Sequence, residues 1–389
     1  MIDRPLKIAY LCDISPLNTN LYSGGNARIY RALQRQAGEV TIIGNSWGLA
    51  EPVRRLMHML PERINLRLRW RLHLVLGRII SLRLRRELIK GDYDVLFCAY
   101  SFQSLAGLGS VPGVVSAFTT DATPTIFKNS VIGKIYGSGW SLSRYFDPWI
   151  TKKEQQVLAD TDLLFIPSEW LRSGIKSTFE IDRETICVIP WGANVFGVEP
   201  PEFPNPLRAD APVELLFVGR NWFAKGGQLA LDALRALEAR GHAARLTILG
   251  CTPRGIKNSD TVKVIPQLDK SNDADLAAFE DLFRKAHFLI NPSMESYGFA
   301  FCEASAYGLP SLALRAGGIP IRDGVNGHAL PVGSTGEDFA AVISEYLANP
   351  QAHEKLRESS RKEYDERLNW DTWGKAVAIQ LRRAVDAQR

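Results

Sequence analysis

Apolar residues along this chain fall into short runs of strand length, separated by stretches with helical spacing. Leu6 to Leu11 is the first run. A long loop, Cys12 to Tyr22, follows, then Ser23-Gly24-Gly25-Asn26, a helical stretch Ala27 to Gln36, and a second run, Val40 to Gly44. Further strands are expected at Asp94 to Ala99, Gly113 to Phe118, Leu163 to Ile166 and Ile186 to Pro190. A proline-rich stretch with little periodicity, Glu199 to Pro212, reads as a linker. The pattern then restarts with a strand at Glu214 to Val218, a helix at Gln228 to Ala239 and a strand at Arg245 to Leu249. Thr261 to Leu268, a helix Phe279 to Ala286 and a strand His287 to Ile290 come next. Past the loop Ser293 to Gly298, a helix begins near Phe299 and ends at Gly308, ahead of a strand at Ser311 to Leu314. Helical patterns close the chain at Asp338 to Leu347, Ala352 to Arg367 and Trp373 to Ala387. Apolar runs alternating with helices predict an α/β fold of nucleotide-binding type, repeated on either side of the linker.

Leu66 to Leu72 alternates leucine and arginine, formally a strand signal, but Leu72, Val75, Leu76 and Ile79 are spaced for a helix. We read the segment as helices. Between Glu51 and Lys90 lie eleven basic and three acidic residues, a local excess of eight in a chain of net charge +5. A basic amphipathic helix over residues 54–90 can rest on an anionic membrane surface, and a solvated helix face accounts for the same residues. No nucleic acid partner is expected, because aromatic residues are sparse there and no nucleic-acid motif accompanies the charge.

The 389 residues suffice for two domains, and 46% hydrophobic with 23% charged residues describes a soluble globular protein. No stretch is apolar for long enough to span a bilayer, and the N-terminus lacks a signal-peptide core. A cytoplasmic location is therefore expected, peripheral on the inner face of the cytoplasmic membrane if the basic segment binds it. Cys12, Cys98, Cys187, Cys251 and Cys302 are scattered, so buried free thiols are expected rather than disulfides or a zinc site. The opening β–loop–α unit lacks the dinucleotide glycine fingerprint, which disfavours a nicotinamide enzyme.

Candidate chemistry centres on Asn291 to Gly308. The helix after Gly298 is apolar except for Glu303, and Glu295 precedes it in the loop. A lone buried carboxylate needs a partner or a ligand. A helix that opens at the carboxyl end of a parallel strand also favours an anion. The structural alternative is a Glu303 salt-bridged in the core and a solvated Glu295. Arg220 and Lys225 follow a strand end within Gly219 to Gly227, where two cations suit a diphosphate. Thr119 to Thr123 closes another strand, so Asp121 is a site candidate by position or else a turn residue.

Glu295, seven intervening residues and Glu303 lead into Gly308-Leu309-Pro310 and the runs Gly317-Gly318-Ile319-Pro320 and Asp323-Gly324-Val325-Asn326-Gly327. This pattern resembles the retaining glycosyltransferases of family 4, which have the GT-B architecture. The resemblance implies two Rossmann-like domains facing each other across a cleft. Residues 1–198 would form an acceptor domain, 199–212 the linker and 213–372 the nucleotide-sugar donor domain. A last helix, about 373–389, would cross back to the first domain. Arg220 and Lys225, with Gly219, would hold the donor phosphates and Glu303 the ribose hydroxyls. Glu295, with the backbone of Ser296, Tyr297, Gly298 and Phe299, would hold the hexose. Gly24 and Gly25 match a glycine pair near the donor diphosphate and the acceptor. Asp121 stands about where the family usually has a histidine against the transferred sugar. Pro266 stands in the nucleobase cradle, where glycine is common, so the base is not implied. Asp160-Thr161-Asp162 resembles the metal-binding carboxylates of the other glycosyltransferase fold but reads as a turn.

The implied activity is hexosyl transfer with retention from a UDP- or GDP-linked donor to a glycan or lipid-linked acceptor, as in bacterial surface polysaccharide such as lipopolysaccharide. No metal and no cofactor is implied. A nucleotide-sugar epimerase or phosphorylase on the same architecture, or a catalytically silent membrane-associated partner subunit, is the competing reading.

Overall fold

The computed structural model describes residues 4–388 except 19–20, 45–46, 60–61, 137–144, 196–197, 200–202 and 271. The chain divides into two compact units. The first takes in Met1–Asn129, Ser138–Pro190 and Trp370–Arg389, and the second Ser130–Gly137 and Trp191–Asn369. The expected boundary after residue 198 differs from this division, because the ring of Trp191 packs on Tyr297 and Phe299 within the second unit. Of the expected linker, residues 200–202 lie outside the described residues.

In the first unit, β1 (Leu6–Leu11), α1 (Gly25–Gln36) and β2 (Gly38–Ile43) are followed by α2 (Glu51–His58) and α3 (Glu62–Lys90). Then come β3 (Val95–Ala99), α4 (Phe102–Leu105), β4 (Val115–Thr119) and α5 (Pro124–Asn129). The short α6 (Val131–Tyr136) belongs to the second unit, and α7 (Asp147–Asp160), β5 (Leu163–Ile166), α8 (Glu169–Phe179) and β6 (Ile186–Val188) return to the first. The six strands are parallel in the order β2-β1-β3-β4-β5-β6. β3 and β5 are buried at every position, as parallel strands covered on both faces require.

The leucine–arginine alternation does not form a strand. α3 is one helix of 29 residues. His73, Leu74, Gly77, Ile80, Ser81, Leu84 and Leu88 are its buried positions, a spacing of three and four that only a helix gives. Val75, Arg78, Ile79, Leu82, Arg83, Arg86, Ile89 and Lys90 are exposed. The side chains of residues 62–69, with Arg63, Arg67 and Arg69, lie outside the described residues.

The second unit comprises β7 (Val213–Val218), α9 (Gly227–Ala239), β8 (Ala244–Leu249), β9 (Val262–Ile265), α10 (Asp273–Lys285), β10 (Phe288–Ile290) and α11 (Phe299–Ala306). β11 (Ser311–Leu314), β12 (Gly327–Leu330), α12 (Gly336–Ala348) and α13 (Pro350–Glu366) complete it. Its parallel sheet runs β12-β11-β10-β7-β8-β9, over a core that includes Phe217, Ile248, Phe288 and Leu312. β12 was not expected, being four residues with a histidine among them. α14 (Trp370–Gln388) belongs to the first unit. It buries Trp373, Val377, Leu381 and Val385, and Arg382 donates to the carbonyls of Arg4 and Ala37 at 2.8 and 3.0 Å.

Each sheet has one point where the strand order reverses: between β1 and β3, and between β7 and β10. At such a point the following loops part to opposite sides and leave a crevice at the carboxyl ends.

Candidate functional site

In the second unit, the loops leaving β7 and β10 carry the expected residues Arg220, Lys225 and Glu295. Asn291 ties the two strand ends together. Its Oδ1 accepts from the Val218 N–H at 3.0 Å and its Nδ2 donates to the Val218 carbonyl at 2.8 Å. Sequence reasoning missed this role, although a polar residue closing the apolar run at Ile290 was a signal for it.

Two glycines let these loops approach. Gly226 has φ +72°, and a Cβ there would lie 2.1 Å from the carbonyl oxygen of Pro292. Gly317 has φ +75°, and a Cβ there would lie 2.2 Å from the carbonyl oxygen of Glu295. A side chain at either would push the Glu295 loop away. The Gly318 N–H donates to the carbonyl of Ser296 at 2.9 Å, pinning the same loop.

Lys225 forms an ion pair with Glu295 through Nζ and Oε1, with side chains 28% and 15% exposed. Burial pulls the Lys225 ammonium down to about 8, and the charge of Glu303 opposes that pull. Glu303 is buried and accepts from Lys270 Nζ at 3.1 Å. The salt bridge expected under the structural alternative is present, and Glu303 also lies within electrostatic reach of Lys225. Lys270 gave no signal in the sequence, where it sits among turn-like polar residues 33 positions from its partner.

Gly226 and Gly298 are the N-cap residues of α9 and α11, so no side chain caps either N-terminus. Tyr297 is buried, and its hydroxyl donates to the carbonyl of Trp191 at 2.7 Å. Phe299 stacks on Trp191 with ring centres 5.8 Å apart. The backbone at the start of α11 is thereby fixed, with the N-terminal end of the helix dipole beside Glu295. Arg220 is exposed next to Gly219, and Phe223 is 87% exposed in the same loop. Pro266 is exposed, and its carbonyl accepts from the Gly250 N–H at 3.0 Å.

The remaining expected residues lie in the first unit. Gly24 caps α1 with φ +82° and Gly25 is the first residue of that helix. Asp121 is half-buried in the loop after β4. Asp162, just before β5, accepts from the N–H and hydroxyl of Ser116 in β4 at 2.8 and 2.7 Å, a contact between neighbouring strands. Among the described residues, no group of three or more histidine, cysteine, aspartate or glutamate side chains is placed to hold a metal ion. No described helix is long and apolar enough to cross a membrane.

A parallel sheet in each of two units, with cations and acids at the strand-order reversal of the second, defines the GT-B class of nucleotide-binding folds. The family model for glycosyl transferases group 1 matches residues 212–349, and that for glycosyltransferase family 4 matches residues 26–195. The chain belongs to the family 4, group 1 glycosyltransferases. The D-inositol 3-phosphate glycosyltransferase of Streptomyces avermitilis is 26% identical over 259 residues, 61% of this chain and 55% of that protein. The chain thus spans about half the length of the curated relatives it matches. Among solved structures, sucrose-phosphate synthase from Thermosynechococcus elongatus superposes with a TM-score of 0.66 at 17% identity, covering 98% of this chain and 100% of that one. The Anabaena protein HepE, in complex with UDP and glucose, gives 0.61 at 14% identity, covering 97% and 99%.

Proposed function

We propose that this protein is a retaining glycosyltransferase that moves a hexose from a UDP- or GDP-linked donor to a glycan or lipid-linked acceptor. The observation that carries the reading is the Lys225–Glu295 pair at the β7/β10 reversal, with Glu303 close enough to act on Lys225. Arg220, Lys225 and the N-terminus of α11 take the charge that develops on the departing diphosphate, which is electrostatic stabilisation of the transition state. Glu303 accepts from the ribose hydroxyls. Glu295, with the backbone of Ser296 to Phe299, holds the hexose. Asp121 and the Gly24–Gly25 pair are the first unit's candidates for contact with the sugar and the acceptor. The acceptor hydroxyl oxygen bonds to the anomeric carbon on the face the diphosphate leaves, and the leaving phosphate oxygen receives the hydroxyl proton. Fixed cations neutralise the diphosphate, so the reading calls for no metal ion and no cofactor.

The donor class is supported by HepE, solved with UDP and glucose. A lipid-linked acceptor, such as an intermediate of bacterial surface polysaccharide, is supported by the exposed mixture of Val75, Ile79, Leu82 and Ile89 with Arg78, Arg83, Arg86 and Lys90 on α3. Such a face suits the inner surface of the cytoplasmic membrane. A second acceptor reading, a small phosphorylated polyol or sugar, is favoured by the names of the relatives above.

Calorimetry against UDP- and GDP-hexoses, followed by product analysis with retention read from the anomeric coupling constant, tests the reading. Binding of none of these donors, or a product of inverted configuration, would overturn it. Sedimentation with phosphatidylglycerol vesicles but not phosphatidylcholine vesicles is expected if the acceptor is lipid-linked.

A further inference from the structure

We infer that Lys270 is a positioning residue of the donor site, which fixes the Glu303 carboxylate for the donor's ribose diol. The inference rests on the nucleotide-sugar reading above. Lys270 follows β9 and is 40% exposed at its side chain, yet it is held twice. Its Nζ donates to Glu303 Oε1 at 3.1 Å and lies 3.8 Å over the ring of Phe279. An exposed lysine has no reason to give up its rotamer freedom for a single solvated contact. Here one partner is a buried carboxylate and the other a buried aromatic face.

The platform beneath Lys270 is rigid. Phe279 packs on Phe283 with ring centres 4.5 Å apart, and Phe283 on Tyr307 at 5.3 Å. These rings join α10 to the residue that ends α11, the helix carrying Glu303. A carboxylate has about four lone-pair positions, and Lys270 occupies one of them. A single fixed donor on one oxygen sets the plane of the group. The remaining lone pairs then point in a constant direction, which a vicinal diol needs in order to donate twice. Lys270 also gives the buried acid an ion-pair partner within the protein itself.

The test is a cycle that combines a protein change with a ligand change. Affinities of UDP, GDP and their 2′-deoxy counterparts are measured by calorimetry for the wild-type protein, Lys270→Met and Lys270→Arg. Lys270→Met is expected to weaken the preferred ribonucleotide about tenfold. The wild-type preference for that ribonucleotide over its deoxy form should shrink to within about threefold, and Lys270→Arg should restore most of it. If the preference is unchanged in Lys270→Met, Lys270 does not act through the ribose and the inference is wrong. Phe279→Leu provides a second route should Lys270→Met misfold, with the same effect expected at smaller size. An undiminished ribose preference there would equally count against the inference. Wild-type protein that bound neither UDP nor GDP would instead remove the donor reading itself, and this inference with it.

Discussion

Replacement of Lys225 separates charge from packing at the candidate site. Its ammonium is paired with Glu295 and mostly buried. Burial brings it down to about 8. At neutral pH it is therefore a cation, and it loses its charge within the range where enzymes can still be assayed. A unit charge about 4 Å from a phosphate oxygen is worth about 4 kcal/mol at the effective dielectric of a partly buried site. Loss of one such group from a charge-stabilising site typically costs about 10²–10³ in kcat. Lys225→Met should fall in that range at every pH.

The wild type should show a high-pH limb, with kcat/KM for the donor falling about tenfold per pH unit above about 8. Lys225→Arg should flatten that limb through pH 10, because a guanidinium does not deprotonate there. Stability moves the other way. The folded-state value lies below the free lysine value of 10.5, so the unfolded chain binds more protons between about 8 and 10.5. Stability contributed by this group is therefore gained, not lost, as pH rises through that window. Release of nucleoside diphosphate from the hexose donor, measured beside urea midpoints from pH 6 to 10, separates the two effects. An alkaline limb that persists unchanged in Lys225→Arg, or near-normal turnover in Lys225→Met, would refute the reasoning.

Two further outcomes concern the frame that holds α11. Arg357 is fully buried, pairs with no carboxylate among the described residues, and donates to the carbonyls of Gly308, Asn205 and Arg284 at 3.3, 3.4 and 3.1 Å. Arg357→Met leaves three carbonyls, one buried and two part-buried, without that donor, so unfolding should become easier by roughly 3 kcal/mol, visible as a Tm lower by about 6–12 °C. A shift under about 2 °C would show that the carbonyls find other donors. His287 and His353 are buried, and burial brings both down to about 4 from 6.5, with the charge of Arg357 adding to the effect. The unfolded chain takes up protons first as pH falls, so their stabilisation is complete above 6.5 and is lost towards 4, at roughly 3 kcal/mol each at most. Urea midpoints at pH 7.5 and 5 should show the loss, and His353→Gln should remove about half of it. Midpoints that do not move would contradict the assignment.

Much of the frame could be read from residue order, for a physical reason. Strands buried on both faces, such as β3, β5 and β10, must be unbroken apolar runs. The loops that leave them carry glycine, cation and acid at fixed offsets, and the backbone approaches at Gly226 and Gly317 force that composition. α3 was ambiguous because arginine and leucine alternate at one end, while helical spacing sets in only from Leu72 onward. α6 could not be assigned to the second unit, because Ile132 meets Gly317 across nearly half the chain.

The same distance limit governs the site's charges. Read singly, Glu303 invited two answers, a core salt bridge or a ligand contact, and nothing nearby in sequence decides between them. The fold supplies the salt bridge by putting Lys270 beside one carboxylate oxygen, on a turn that local pattern marks only as solvated. Lys225 and Glu295, seventy positions apart, neutralise each other in the same way. The four charges balance, and the exposed Arg220 adds one more positive charge at the reversal point. An incoming diphosphate therefore does not enter a pre-charged hole. It must compete with Glu295 for Lys225, and the carboxylate so released becomes the acceptor next to the donor's sugar. A bare diphosphate gains only the first half of that exchange. On this argument the hexose strengthens binding beyond what the nucleotide supplies, and Glu295→Gln should bind UDP or GDP more tightly while losing the added affinity of the sugar-linked form. Equal loss of affinity for both ligands would mean that Glu295 does not restrain Lys225.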